Sequence, residues 1–314
     1  MHEPAVARRR SRAAVADFGP VTSLVADPRV TDVFVNGAGP VWADRGSGAR
    51  RTAIVVSEQQ ARELAVRLVA AGGRHLDEAT PAGDARLADG IRVHAVLPPV
   101  ARTGTAISIR LPPPRAPHLT DLGAAGFFDT VPPATVAELV RTRLNLLITG
   151  AGGSGKTTLL GALLARADPA ERIVTIEDVA ELRIRHPHVV ALEARQANLE
   201  GAGGIELGRL VREALRMRPD RLVVGEVRGA EVRELLSALN TGHDGGAGTL
   251  HANSMADVPA RLEALGALAG MDASAVARQA ASAFGAVLHL ERSPHRRLAQ
   301  LGTLEIEGDR LVVR

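Results

Sequence analysis

The sequence predicts an α/β protein in two parts, a C-terminal domain built on a mostly parallel sheet and a smaller α+β domain before it. Three observations carry this. From residue 144 onward apolar strands alternate with helical patterns, the sign of βαβ units. The proline-rich stretch Leu111-Pro112-Pro113-Pro114-Arg115-Ala116-Pro117 separates that alternation from what precedes it. The 314 residues suffice for about two domains.

In chain order, residues 1–17 read as a flexible basic tail. It carries Arg8, Arg9, Arg10 and Arg12 with no apolar run behind them, so no secretory signal is expected. Residues 18–111 form the first domain. Val33-Phe34-Val35 and Val41-Trp42-Ala43 flank Asn36-Gly37, a hairpin signal. Ser57 and Gln60 form a capping box for a helix whose apolar face is Ala61, Leu64, Ala65, Leu68 and Val69, stopped by Gly72-Gly73. Strands are expected over 91–97 and 105–111. Residues 112–120 are the linker, stiffened towards polyproline II.

The second domain runs from 121 to 314. Strands are expected at Leu144–Thr149, Ile173–Ile176, Leu222–Val227 and Thr249–His251. Helices are expected at Lys156–Ala167, across Leu207 to Leu215, across Leu235 to Leu239, and near 256–269 and 273–283. The tail reads as hairpins turning at Glu307-Gly308-Asp309.

Composition narrows the function. The chain has no cysteine, so a disulfide framework, a cysteine-ligated zinc module and a thiol nucleophile are excluded. Net charge is +3 and aromatic content 2%, which argues against direct nucleic-acid contact by stacking or strong basic patches. No apolar run reaches the ~18 residues of a membrane span.

Gly150-Ala151-Gly152-Gly153-Ser154-Gly155-Lys156-Thr157-Thr158 contains G-x-x-x-x-G-K-[ST] between a predicted strand and a predicted helix, the context a phosphate-binding loop needs. Glycines let backbone N–H groups turn inward at the positive end of a helix. Lys156, the chain's single lysine, suits the β- and γ-phosphates of ATP, and the Thr157 hydroxyl suits Mg²⁺. The apolar strand Leu222–Val227 ends in Glu226 and is followed by Arg228. A parallel strand beside the P-loop strand aims Glu226 at the γ-phosphate, to polarise a water or to hold Mg²⁺ through one. Glu177, Asp178 and Glu181 cluster after another strand. His243 and His251 flank a glycine-rich loop. They suit hydrogen bonds to phosphate or to its acidic partners. A metal site is the other reading, but it lacks a third ligand nearby.

The quartet GAGGSGKTT, IEDVAEL, LVVGEVRG and GHDGGAGTLHANS resembles the Walker A, Asp box, Walker B and His box of the secretion-ATPase superfamily, in that order. Residues 27–37, 84–96 and 107–110 resemble the N-terminal domain of its TadA/CpaF branch, which serves tight-adherence pilus assembly and related conjugal transfer. The usual GHEGS stands here as His243-Asp244-Gly245-Gly246, the usual Asn of NAV as His94, and the usual Lys after SIR as Leu111. The long N-terminal extension of many relatives and the tetracysteine zinc element of the type II branch are missing.

The resemblance implies a RecA-like P-loop ATPase domain behind a PAS-like domain. It implies a homohexamer with nucleotide between the two domains and at the subunit boundary. Hydrolysis then drives polytopic inner-membrane platform proteins from the cytoplasmic side, without zinc. It gives Glu226 the main catalytic role, with Lys156, and assigns Glu177 and Glu181 to the metal and water network, so that Thr157, Glu177 and Glu226 surround Mg²⁺. It makes Arg86, Arg92 and Arg110 phosphate contacts from the first domain. Arg216 and Arg218 complete a neighbour's site. A DNA-translocating motor of similar core is the alternative.

Overall fold

The computed structural model describes residues 16–112, 116–195, 203–292 and 295–314. The expected basic tail, but for its last two residues, lies outside these, as do Pro113, Pro114 and Arg115. The chain divides into two compact units, Met1–Arg115 and Ala116–Arg314.

The first unit is an antiparallel sheet of six strands: β1 (Asp32–Asn36), β2 (Gly39–Asp44), β3 (Ala49–Val56), β4 (Ala82–Arg86), β5 (Arg92–Val96) and β6 (Ala106–Arg110). Their order is β3-β2-β1-β6-β5-β4. The hairpin turns at Gly37, whose φ of 79° and a would-be Cβ only 2.2 Å from the Thr103 carbonyl oxygen admit glycine alone. A short helix, α1 (Thr22–Ala26), precedes the sheet, and α2 (Glu58–Ala71) covers one face of it. The capping box at the start of α2 forms: Gln60 N donates to Ser57 Oγ at 3.2 Å, and Ser57 N to Gln60 Oε1 at 2.9 Å. The five apolar positions expected to face the sheet are all buried. Alternate strand residues complete this core, among them Val33, Val35, Val93, Ile107 and Ile109.

The second unit is a three-layer α/β structure. Its strands are β7 (Leu146–Gly150), β8 (Ile173–Glu177), β9 (Val189–Glu193), β10 (Arg221–Val227), β11 (Ala247–His251), β12 (Ala286–Glu291) and β13 (Arg297–Gly302). They are ordered β13-β12-β7-β11-β10-β8-β9, parallel throughout except for the edge strand β13. Every residue of β7 and β8 is buried, as expected of parallel strands covered on both faces. Leu147, Val174 and Val224 point into a core shared with α6 (Leu207–Leu215), α7 (Val232–Leu239), α8 (Val258–Leu268) and α9 (Ala273–Ala283). Leu146, Ile148 and Val223 point the other way, against α3 (Leu119–Ala124), α4 (Pro133–Arg141) and α5 (Lys156–Leu164). The terminal hairpin is β14 (Leu304–Glu307) with β15 (Arg310–Val313).

Several boundaries differ from those expected. β7 starts at Leu146 because Leu144 N still donates back to the Leu139 carbonyl where α4 unwinds. α5 stops at Leu164 rather than Ala167. The elements α3, α4, β4 and β9 were not expected, and the helix α1 forms where residues 21–56 read as short strands. β12 and β13 pair as a hairpin within the tail, but β12 also joins β7 in the central sheet, which was not expected.

Candidate active site

The P-loop joins β7 to α5 at the C-terminal end of the parallel sheet, where ligands of such sheets bind. Its turn needs left-handed backbone at Gly150, Gly153 and Gly155, with φ of 147°, 70° and 101°. A Cβ at Gly150 would lie 2.5 Å from the Leu290 carbonyl oxygen and 2.7 Å from Ser154 Oγ. Ser154 is fully buried, and its hydroxyl has no hydrogen-bond partner among the described residues. A buried donor without an acceptor is costly, so a glycine loop around one suits a ligand rich in acceptor oxygens.

Lys156 is buried. Its Nζ donates to the carbonyls of Gly150 at 2.8 Å and Ala151 at 3.1 Å. Burial lowers its pKa below the ordinary lysine value, and the Glu226 and Glu181 carboxylates oppose that shift. The two acids are therefore close enough to Lys156 to act on its charge. Thr157 Oγ1 stands 3.5 Å from Glu181 Oε2, and Thr158 is exposed.

Glu226 owes its exposure to a local irregularity. Val223 and Val224 pair with Ala247 and Gly248, but Val227 pairs with Leu250, so β10 carries one extra residue at Gly225-Glu226. Such a bulge turns a side chain out of the sheet: Gly225 and Val227 are buried, and Glu226 between them is exposed. Arg228 is ion-paired with Asp178. Burial pushes the Asp178 carboxyl up, and Arg228 pulls it back. Glu177 is buried at the end of β8, where its Oε1 accepts from the backbone N–H groups of Glu181 at 2.8 Å and Leu182 at 3.0 Å.

Strand order departs from expectation. β10 does not lie beside the P-loop strand, because β11 is inserted between them and places His251 opposite Gly150. His251 Cε1 lies 3.8 Å from the position a Cβ on Gly152 would take. His243 is carried to the opposite end of the same strand. It is half-buried, with Nδ1 3.2 Å from the Ala238 carbonyl at the end of α7, and it is not brought to the loop. Arg216 and Arg218 also precede β10 at that far end. Arg216 pairs with Glu213 at 3.5 Å, and Arg218 is exposed with a φ of 53°.

In the first unit, the sheet aligns Arg86 with Arg92, Arg92 with Arg110, and Arg110 with Asp32. Three arginines thus form one row across three strands. Only Asp32 among these four cross-strand partners is acidic, at 3.3 Å from Arg110 Nε. Arg86 and Arg92 have interaction partners of their own as well, and the row continues from Asp32 to Asp44 on β2.

Two residues near the loop carry no sequence motif. Arg292 follows β12, which pairs with β7 in parallel. Its Nη1 is 3.8 Å from where a Cβ on Gly153 would stand. His289, buried on β12, is hydrogen-bonded through Nδ1 to Thr149 Oγ1 at 2.8 Å, and burial lowers its pKa. Neither was legible, because the place of β12 beside β7 is a matter of strand order and was not expected.

Among the described residues no cluster of three or more His, Cys, Asp or Glu has the geometry to hold a metal alone. Mg²⁺ does not require one. It keeps several waters and takes one or two protein oxygens together with substrate phosphates. Thr157 and Glu181, an oxygen pair beside the P-loop, fit that mode.

The family described as type II/IV secretion system protein matches residues 14–293. The chain belongs to that family. It is a P-loop secretion ATPase, and the motifs above lie within the matched region. A Mycobacterium tuberculosis relative described as a putative conjugal transfer protein is 51% identical over 300 residues, covering 92% of this chain and 85% of its own. The probable conjugal transfer protein TrbB of Sinorhizobium fredii is 31% identical over 300 residues, covering 91% and 89%. Among solved structures, the Legionella pneumophila ATPase DotB matches with a TM-score of 0.60 at 19% identity, covering 98% of this chain and 81% of its own. That last likeness is one of fold. No helix among the described residues is long and apolar enough to cross a membrane.

Proposed function

We propose that this secretion ATPase is a cytoplasmic motor of the TadA/CpaF kind, peripheral at the inner face of the cell membrane. It works as a homohexamer on polytopic platform proteins to power pilus assembly or protein secretion. The observation that carries the hydrolytic part is the juxtaposition at one sheet end of a buried lysine, a buried hydroxyl in a glycine turn with no partner among the described residues, and an exposed glutamate on a bulge.

Lys156 exchanges its two loop carbonyls for phosphate oxygens, aided by the loop N–H groups and Ser154 Oγ. Glu226 takes the proton of the attacking water. Thr157 and Glu181 would hold Mg²⁺, which would neutralise phosphate charge there. His251 hydrogen-bonds at the loop and links β11 to nucleotide state, and Arg292 adds a second cation near Gly153. Arg86, Arg92 and Arg110 remain candidates for phosphate contact, and Arg216 and Arg218 for a neighbouring subunit. Phosphate release by the purified protein with Mg²⁺, and sedimentation at six times the subunit mass with ATP, test this reading. A monomer at all nucleotide concentrations contradicts the hexamer. Arg110→Ala slows turnover well beyond about twofold if it touches phosphate, whereas loss of an exposed pair with Asp32 alone stays within that range.

The name of the Mycobacterium tuberculosis relative favours a second reading, a motor for conjugal transfer. Salt-sensitive stimulation of hydrolysis by DNA selects it; indifference to DNA selects the first.

A further inference from the structure

Glu177 is expected as a metal ligand, but its surroundings point to another task. Its Oε1 takes two backbone donors, Glu181 N at 2.8 Å and Leu182 N at 3.0 Å, so the turn carrying Glu181 is folded around this carboxylate. On its other side lies β10. A Cβ on Gly225 would stand 2.5 Å from Glu177 Cγ and 2.9 Å from its Oε1, closer than real contacts allow. Glu177 therefore fills space that only glycine at 225 leaves open. The Gly225 carbonyl in turn accepts from Thr249 Oγ1 on β11 at 2.6 Å. One buried side chain thus touches both the turn that sets Glu181 3.5 Å from Thr157 and the bulge that turns Glu226 outward.

We infer that Glu177 is a positioning residue and not a metal ligand: it locks the Glu181 turn to the Gly225-Glu226 bulge and so fixes the spacing of the two acids beside the P-loop. The inference rests on reading that end of the sheet as the hydrolytic site. An acceptor oxygen is what the two N–H groups need, and glutamine keeps one, whereas a metal ligand needs the charge.

The test compares Glu177→Gln, Glu177→Ala and Gly225→Ala in the full chain. Small displacements of catalytic groups cost roughly 10² in rate, so kcat falls by about that factor in Glu177→Ala and in Gly225→Ala, which keeps the carboxylate but displaces it. Glu177→Gln stays within about threefold of wild type. In Glu177→Gln the KM for MgATP and the Mg²⁺ concentration giving half-maximal rate stay within about threefold, whereas in Glu177→Ala and Gly225→Ala the Mg²⁺ requirement rises because Glu181 is displaced from Thr157. Without nucleotide, the Glu181 and Leu182 amides exchange about tenfold faster in Glu177→Ala and stay protected in Glu177→Gln, as loss of charge-assisted bonds requires. If Glu177→Gln is as slow as Glu177→Ala and both need about tenfold more Mg²⁺, Glu177 is a ligand and the inference is overturned. Unchanged exchange of both amides in Glu177→Ala overturns it too. Should Glu177→Ala not fold, the other two variants decide. Should the wild type hydrolyse no ATP, the reading of the site fails, and amide exchange alone decides the role of Glu177.

Discussion

At one end of the parallel sheet, Lys156, Glu181, Glu226 and His251 converge on a glycine turn. At the other end, Arg143, Glu171, Arg221 and His243 are consumed by structure. Arg221 is 3% exposed, with Nε donating to Glu171 Oε2 at 2.6 Å and its other nitrogens to the Val140 and Gly245 carbonyls at 2.9 and 3.2 Å. Arg143 pairs with the same Glu171 and donates to the Asp220 and Asp244 carbonyls at 2.7 and 3.0 Å. This cluster ties down the loop that leads into β11. The same residue types are thus proposed to do chemistry at one end, and they scaffold the other. What distinguishes them is strand direction, since parallel strands deliver their C-terminal ends to the ligand.

The difference is testable from both ends. Lys156→Ala removes the only lysine from the loop and lowers turnover by roughly 10³-fold or more, with loss of nucleotide binding and little change in unfolding midpoint. Arg221→Ala does the reverse. It leaves Glu171 short of a buried partner and costs about 3–5 kcal/mol of stability by denaturant titration, while activity per folded molecule holds. A stability loss under about 1 kcal/mol would place Arg221 among surface pairs and dissolve the contrast.

The two histidines sharpen it on a single strand. His251→Ala lowers turnover by about tenfold, the worth of one charge-assisted hydrogen bond to phosphate. His243→Ala changes turnover by less than about threefold in the isolated subunit. Equal effects would mean that strand direction does not sort these residues.

Much of this was legible in the sequence. The P-loop is contiguous, and the glycines that make its turn are the glycines of its motif. The capping box at Ser57 and the apolar face behind it are local patterns, so α2 was readable to within a residue or two. Strand order was not. Glu226 follows the P-loop in sequence, but β11, later still, takes the place beside β7, and no local signal marks that insertion. The pairing of β12 with β7 escaped notice because Gly285 and His289 interrupt a short apolar run, and buried His289 finds its partner in Thr149 on β7 only once that pairing is known. α3 and α4 are short, and α3 begins at Leu119, inside the stretch 112–120 read as linker. The division of labour among Glu177, Glu181 and Glu226 needed the bulge and the two backbone donors, which are features of register.

The smallest effect concerns acid. His289 has its pKa lowered by burial, so the folded protein resists taking a proton that the unfolded chain accepts at an ordinary histidine pKa of about 6.5. Stability is therefore present above that value and is lost as pH falls below it, by at most about 1.4 kcal/mol per pH unit for this group. His289→Gln flattens that part of the stability profile. An unchanged slope would assign it elsewhere.

The central claim is that the C-terminal end of the sheet hydrolyses ATP with Glu226 as base. The most direct measurement pairs ATP affinity with single-turnover phosphate release in wild type and Glu226→Gln. The account predicts ATP bound about as tightly by both, and release slowed roughly 10²–10⁴-fold in the variant, the usual worth of a positioned base. Release at the wild-type rate, or a folded Glu226→Gln that no longer binds ATP, would contradict it.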